Sequence, residues 1–193
     1  MKANILVDKE KRACIADFSL TTVTGVGNNS FAGVSIMSAM SDDTLTSFTA
    51  GGTFRWMSPE LLDPDRFEIP RAEGDRPTRQ SDCYAMGMVI YEVGSHSSRT
   101  CFFSLAIDHR PLLQVLCGHY PYEEIQNNIL LVNAIVEGDR PMKPEGAARL
   151  GFNNELWTLI ELCWREARAQ RPRVEEIITC LNGAAAYWYM KEL

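Results

Sequence analysis

The stretch "RQSDCYAMGMVIYEV", residues 79–93, constrains the fold more than any other part of the chain. It is apolar nearly all round, and a helix without a polar face has to be covered on most of its sides. Its longest apolar run, "AMGMVIYEV", falls well short of the roughly 20 residues that a membrane-spanning helix needs. The rest of the chain must therefore build a body around one central buried helix. Its 193 residues, 46% hydrophobic and 23% charged, suffice for one domain or one large lobe.

The elements available for that body are mostly helical. "NILVD" and "ACIAD" are short β-type runs separated by the charged turn "KEKR", which predicts a hairpin. Residues 19–57 are rich in Ser, Thr and Gly with little periodicity, and a loop of that length in a compact domain usually carries function. In "SPELL", Ser58 is placed to cap a short helix, Pro59 suits its first position, and Glu60 favours the positive end of its dipole. Leu156, Leu159, Ile160, Cys163 and Trp164 recur at the three-four spacing of one helix face. Val174, Ile177, Ile178 and Leu181 repeat that spacing after Pro172. The fold expected is mainly α with a short β-hairpin, and there are no internal repeats.

Charge and cysteine usage exclude several functions. A net charge of −6 supplies no basic face for phosphates, so no nucleic-acid partner is expected. No apolar run implies a membrane partner, and Lys2 with "ILVDKEKR" gives no signal-peptide core, so a cytoplasmic protein is expected. Cys14, Cys83, Cys101, Cys117, Cys163 and Cys180 form no Cys-x-x-Cys pair, and His96, His109 and His119 show no ligand spacing. Reduced core thiols are the expectation rather than a zinc site or a disulfide framework.

Five landmarks in fixed order resemble the C-terminal lobe of a protein kinase. "KANIL" resembles the end of the catalytic loop, and "ADFS" resembles the metal-binding Asp-Phe-Gly motif. "GTFRWMSPE" resembles the end of the activation segment. "SDCYAMG" resembles the Asp-x-Trp-x-x-Gly stretch of the central helix, with Tyr84 in place of Trp. "CWREARAQRP" resembles the closing motif that carries the family's buried Arg, here Arg171. "FRWM" and "LCWR" look most like the tyrosine-kinase-like group of serine/threonine kinases.

The resemblance implies transfer of the γ-phosphate of ATP to Ser/Thr hydroxyls of a protein substrate, with ATP and Mg²⁺ as cofactors. Such transfer needs little covalent work from the protein; it needs Mg²⁺ held against the phosphates and a hydroxyl aimed in line. Hard cations take oxygen ligands, so a carboxylate, Asp17, and an amide oxygen, Asn4, are the implied metal ligands. The same resemblance puts Leu6 on the floor of the adenine pocket, Ala16 beside the nucleotide, and Thr53 in the substrate site. It pairs Glu60 with Arg171, and it makes Asp82 an acceptor of backbone hydrogen bonds from the catalytic loop. It also makes residues 19–57 the activation loop, whose cluster Thr44, Thr46, Ser47 and Thr49 is expected to be phosphorylated. Taken singly, Asn4 is a turn residue, Asp17 a cap, Thr53 a loop hydroxyl, and Leu6 and Ala16 core packing; the order of the motifs carries the resemblance.

Three departures qualify it. The family's catalytic Asp lies a few residues before its Asn, yet Asn4 is the fourth residue here, and no Gly-x-Gly-x-x-Gly phosphate loop occurs among the 193 residues. The expectation is a partial kinase domain, the C-lobe without the N-lobe, inactive in isolation; the alternative is a non-catalytic protein-binding module or pseudokinase relic. Ser19 stands where the family has Gly, which restricts the backbone there. Residues 94–115 separate "YEV" from "LCGHYPYEEI", which would be nearly contiguous in the family. Val93 and Val115 bracket this atypical insertion, as a translated intron would leave them; a genuine docking loop is the alternative.

Overall fold

The central helix expected from residues 79–93 is α2 (Arg79–Gly94), and the other elements lie around it. The computed structural model of the chain describes residues 5–7, 9, 13–15, 53–70, 77–94, 120–144 and 153–191. Strands β1 (Ile5–Val7) and β2 (Ala13–Ile15) pair antiparallel, with Ile5 opposite Ile15, Leu6 opposite Cys14 and Val7 opposite Ala13. A 3₁₀ turn (Thr53–Trp56) and the single-turn helix α1 (Pro59–Leu62) precede α2. Helices α3 (Asn128–Glu137), α4 (Asn154–Cys163) and α5 (Val174–Lys191) follow, with a 3₁₀ turn at Arg168–Gln170 before the last. The described part is helix-rich.

Local sequence accounts for the helix ends. Thr78 and Ser81 cap α2 reciprocally: Thr78 N donates to Ser81 Oγ at 2.7 Å, and Ser81 N to Thr78 Oγ1 at 3.1 Å. Asn127 Oδ1 accepts from the amides of Ile129 and Leu130 to start α3, which Gly138 ends at φ 98°, a left-handed angle that favours glycine. Asn153 Oδ1 accepts from Leu156 N at 2.7 Å to start α4. Glu176 reaches back to the Arg173 amide at 2.7 Å at the start of α5.

The core is one cluster drawn from all these helices: Leu62, Tyr84, Met88, Leu131, Val132, Ile135, Ile160, Cys163 and Ile177 are buried within it. Each large apolar side chain so covered contributes roughly 1.5–3 kcal/mol relative to exposure. The packing is tight at Gly87. A Cβ there would meet Cys163 Cβ at 2.7 Å and Trp164 Nε1 at 2.8 Å, so only glycine lets α2 lie directly on α4. Trp164 in turn packs edge-on against Trp157 at 6.0 Å and tilted against Tyr91 at 5.8 Å.

Two local expectations need correction. Ser58 holds the N-cap position of α1 but makes no capping hydrogen bond; its Oγ is buried with no hydrogen-bond partner among the described residues. On α5, Ile177 is buried and Leu181 partly covered, whereas Val174 and Ile178 are half exposed, because Ala184 completes the inward face on the Ile177 side of the helix.

Candidate functional site

The turn Thr53–Trp56 is held at three points. Phe54 is buried in the core. Arg55 extends its guanidinium to the 120–125 segment: Nη1 donates to the carbonyl oxygens of Pro121 at 2.8 Å and of Tyr122, and Nη2 to that of Ile125 at 2.7 Å. Trp56 Nε1 donates to Glu92 Oε2 on α2 at 3.1 Å, and its ring meets Tyr120 edge-on at 6.3 Å. Burial pushes the Glu92 carboxyl above its ordinary range, and the indole N–H partly opposes that rise. Trp56 thus touches both α2 and the start of the 120–125 segment.

Helix α1 carries Glu60 inward, where it meets Arg171 from the loop before α5. The pair is bidentate: Nη1 to Oε1 at 2.6 Å and Nη2 to Oε2 at 2.7 Å, both side chains buried. Arg171 further donates to the carbonyls of Arg165, Gln80 and Glu166, so each guanidinium nitrogen has an acceptor. The Tyr84 ring lies 5.2 Å from the Arg171 guanidinium and 5.3 Å from that of Arg140. Tyr84 stands where the family resemblance places Trp. Its hydroxyl is buried beside that of Tyr122 without a well-formed hydrogen bond, and burial together with Tyr122 holds it well above the ordinary tyrosine range.

Asp82 sits exposed in the first turn of α2, where its amide donates to the Thr78 carbonyl at 3.0 Å; the burial of part of its carboxyl raises its pKa. Thr53 opens the 3₁₀ turn, and Leu6 lies at the centre of β1. Asn4, Ala16 and Asp17 lie outside the described residues, as do residues 19–52 and 95–115 of the two long segments. Among the described residues no group of three or more His, Cys, Asp or Glu side chains could hold a metal ion, and no helix is long and apolar enough to cross a membrane. The donor set expected for Mg²⁺, one carboxylate and one amide oxygen, suits a hard cation.

Sequence reasoning brought Glu60 and Arg171 to attention, and the structure brings them together. It gave no role to Arg55, Trp56 or Glu92. Their partners are backbone carbonyls and a carboxylate 36 to 70 residues away, for which no spacing in the sequence is a signal.

The profile of a family described as protein tyrosine and serine/threonine kinase matches residues 1–181. Among curated relatives, the serine/threonine-protein kinase mos of Patiria pectinifera is 25% identical over 185 residues, covering 93% of this chain and 38% of that protein. The serine/threonine-protein kinase STY17 of Arabidopsis thaliana is 24% identical over 180 residues, covering 93% of this chain and 22% of that protein. The LysM domain receptor-like kinase 10 of Oryza sativa subsp. japonica is 26% identical over 196 residues, covering 99% and 27% respectively. The chain thus spans less than half the length of these relatives.

Proposed function

Because this chain belongs to the protein tyrosine and serine/threonine kinase family, we propose that it supplies the C-terminal lobe of a kinase domain that transfers the γ-phosphate of ATP to Ser/Thr hydroxyls of a protein substrate. The observation that carries this is the family match over residues 1–181, which takes in Asn4, Asp17, Thr53, Glu60 and Arg171 together. Two of the relatives above bear the name serine/threonine-protein kinase, which favours hydroxyl acceptors of that type.

Bound Mg²⁺·ATP supplies the phosphoryl group and the charge that neutralises its oxygens. In the proposed arrangement Asp17 and Asn4 would hold the metal through oxygen, Leu6 and Ala16 would line the nucleotide, and Thr53 would serve the acceptor hydroxyl. The buried Glu60–Arg171 pair keeps the segment that follows Thr53 on the helical body. Residues 19–57 would act as the activation loop. The 193 residues contain no Gly-rich phosphate loop, so transfer is assigned to the whole kinase domain and none to these residues alone.

The test is phosphoamino-acid analysis of a mixed peptide library after incubation with the intact protein and Mg²⁺·ATP. Phosphoserine and phosphothreonine are expected. Phosphotyrosine alone, or no incorporation, contradicts the proposal.

A further inference from the structure

We propose that Arg55 is a positioning residue for protein-substrate engagement: its guanidinium, forked across the carbonyls of Pro121, Tyr122 and Ile125, sets the Thr53–Trp56 turn against the segment that leads into α3. The clamp itself stands on geometry; its consequence for the reaction rests on the kinase assignment proposed above.

A 3₁₀ turn of four residues has little stiffness of its own. The Met57 amide donates to the Phe54 carbonyl at 3.1 Å as the turn ends, and side chains fix its place on the body. Phe54 and Trp56 fix it against the core and α2; Arg55 is the side chain that reaches the 120–125 segment by hydrogen bonds. The acceptors are prepared for it. Tyr122 has φ 56°, a left-handed angle that a tyrosine keeps only when its surroundings hold it. Backbone bonds from Glu123 N to Tyr120 O and from Ile125 N to Tyr122 O close the turn, and the Tyr122 hydroxyl donates to the Asp139 carbonyl at 2.8 Å on its far side. Three carbonyl oxygens thus converge on one point that calls for a planar, charged donor. Arginine's rigid fork fits that point, and lysine's single ammonium does not.

Thr53, the proposed substrate-site residue, lies two residues before Arg55. Freeing the turn should therefore weaken engagement of the protein substrate more than it slows the chemical step.

The experiment compares Arg55→Ala and Arg55→Lys with the unaltered intact protein by amide hydrogen exchange and by steady-state kinetics on a peptide carrying an unmodified Ser/Thr acceptor. In R55A, exchange should speed up in both 54–57 and 122–125 by at least about tenfold, the scale of losing the hydrogen bonds of one charged group, with α4 and α5 unchanged. Peptide KM should rise on the same scale while kcat stays within about twofold. R55K, which keeps charge without the fork, should remain impaired in both readouts. Faster exchange in only one of the two segments, full rescue by lysine, or a fall in kcat at constant KM overturns the proposal. If the unaltered protein transfers no phosphate, the kinase assignment fails, and the exchange pattern alone decides the clamp.

Discussion

Arg171 and Glu60, 111 residues apart in sequence, meet in a buried bidentate pair with N–O distances of 2.6 and 2.7 Å. The contact joins α1, directly after the Thr53–Trp56 turn, to the loop that launches α5. A buried ion pair is weak evidence of net stability, but removal of one partner strands a charge in a dry site.

Glu60→Ala and Arg171→Met should each destabilise the chain by about 3–5 kcal/mol, because each leaves its partner buried and uncompensated. The double variant should cost less than the sum of the two. Urea denaturation midpoints measure this; additive losses would mean that the two side chains do not act as a unit.

Gly87 and Gly183 should respond in opposite directions to the same substitution. Gly87→Ala drives a methyl group into Cys163 and Trp164, an overpacking that costs roughly 1–3 kcal/mol and outweighs the better helix propensity of alanine. Gly183 lies in α5 with nothing within 4 Å of an added Cβ, so Gly183→Ala should stabilise by roughly 0.5–1 kcal/mol. Equal shifts in the two denaturation midpoints would contradict the close α2–α4 contact.

Much of this architecture is legible in the sequence, and the reasons are local. The buried helix shows in residues 79–93, apolar nearly all round, and the inward face of α4 in the spacing of Leu159, Ile160 and Cys163. Glu60 and Arg171 stand in motifs whose order points to one family. Periodicity misled at Val174 and Ile178 because four apolar residues at helical spacing outline two possible faces, and packing selected the one through Ile177 and Ala184. Ser58 has the right residue type for a cap, yet burial of its side chain takes it away from the amides it would bind. The contacts of Arg55 were hidden because a backbone carbonyl has no residue type.

Glu92 makes stability depend on pH in an unusual sense. Its carboxyl is raised by burial, so the folded chain holds a proton that the unfolded chain has already released. The cost of burying its charge is fully present above the folded pKa and is relieved as pH falls from that value toward the ordinary Glu value of about 4.3. Glu92→Gln keeps an oxygen for the Trp56 indole and removes the charge. It should therefore gain stability relative to the unaltered chain at pH 7.5, with the gain shrinking as pH falls to 5. Denaturation at the two pH values measures this; a loss at pH 7.5 that disappears at pH 5 would reverse the sign and contradict it.

The cysteines should differ in reactivity. Cys163 is buried among α2 and α4, and burial, with Cys83 nearby, pushes its thiol up to about 12. Cys14 is exposed. Iodoacetamide at pH 8 should modify Cys14 in the native chain and reach Cys163 only after unfolding. Because the unfolded thiol ionises near pH 8.5, this burial also withdraws stability as pH rises from there toward about 12. Mass mapping that finds Cys163 alkylated as fast as Cys14 would contradict the packing of α2 on α4.

We propose that these residues supply the metal-holding and substrate-presenting lobe of a serine/threonine kinase domain. The most direct measurement is transfer of labelled γ-phosphate from Mg²⁺·ATP to a Ser/Thr peptide library by the intact protein, with and without Asp17→Ala. The account predicts incorporation that falls to background in D17A while the urea denaturation midpoint stays unchanged. Incorporation undiminished in D17A, or none from the intact protein, would contradict it.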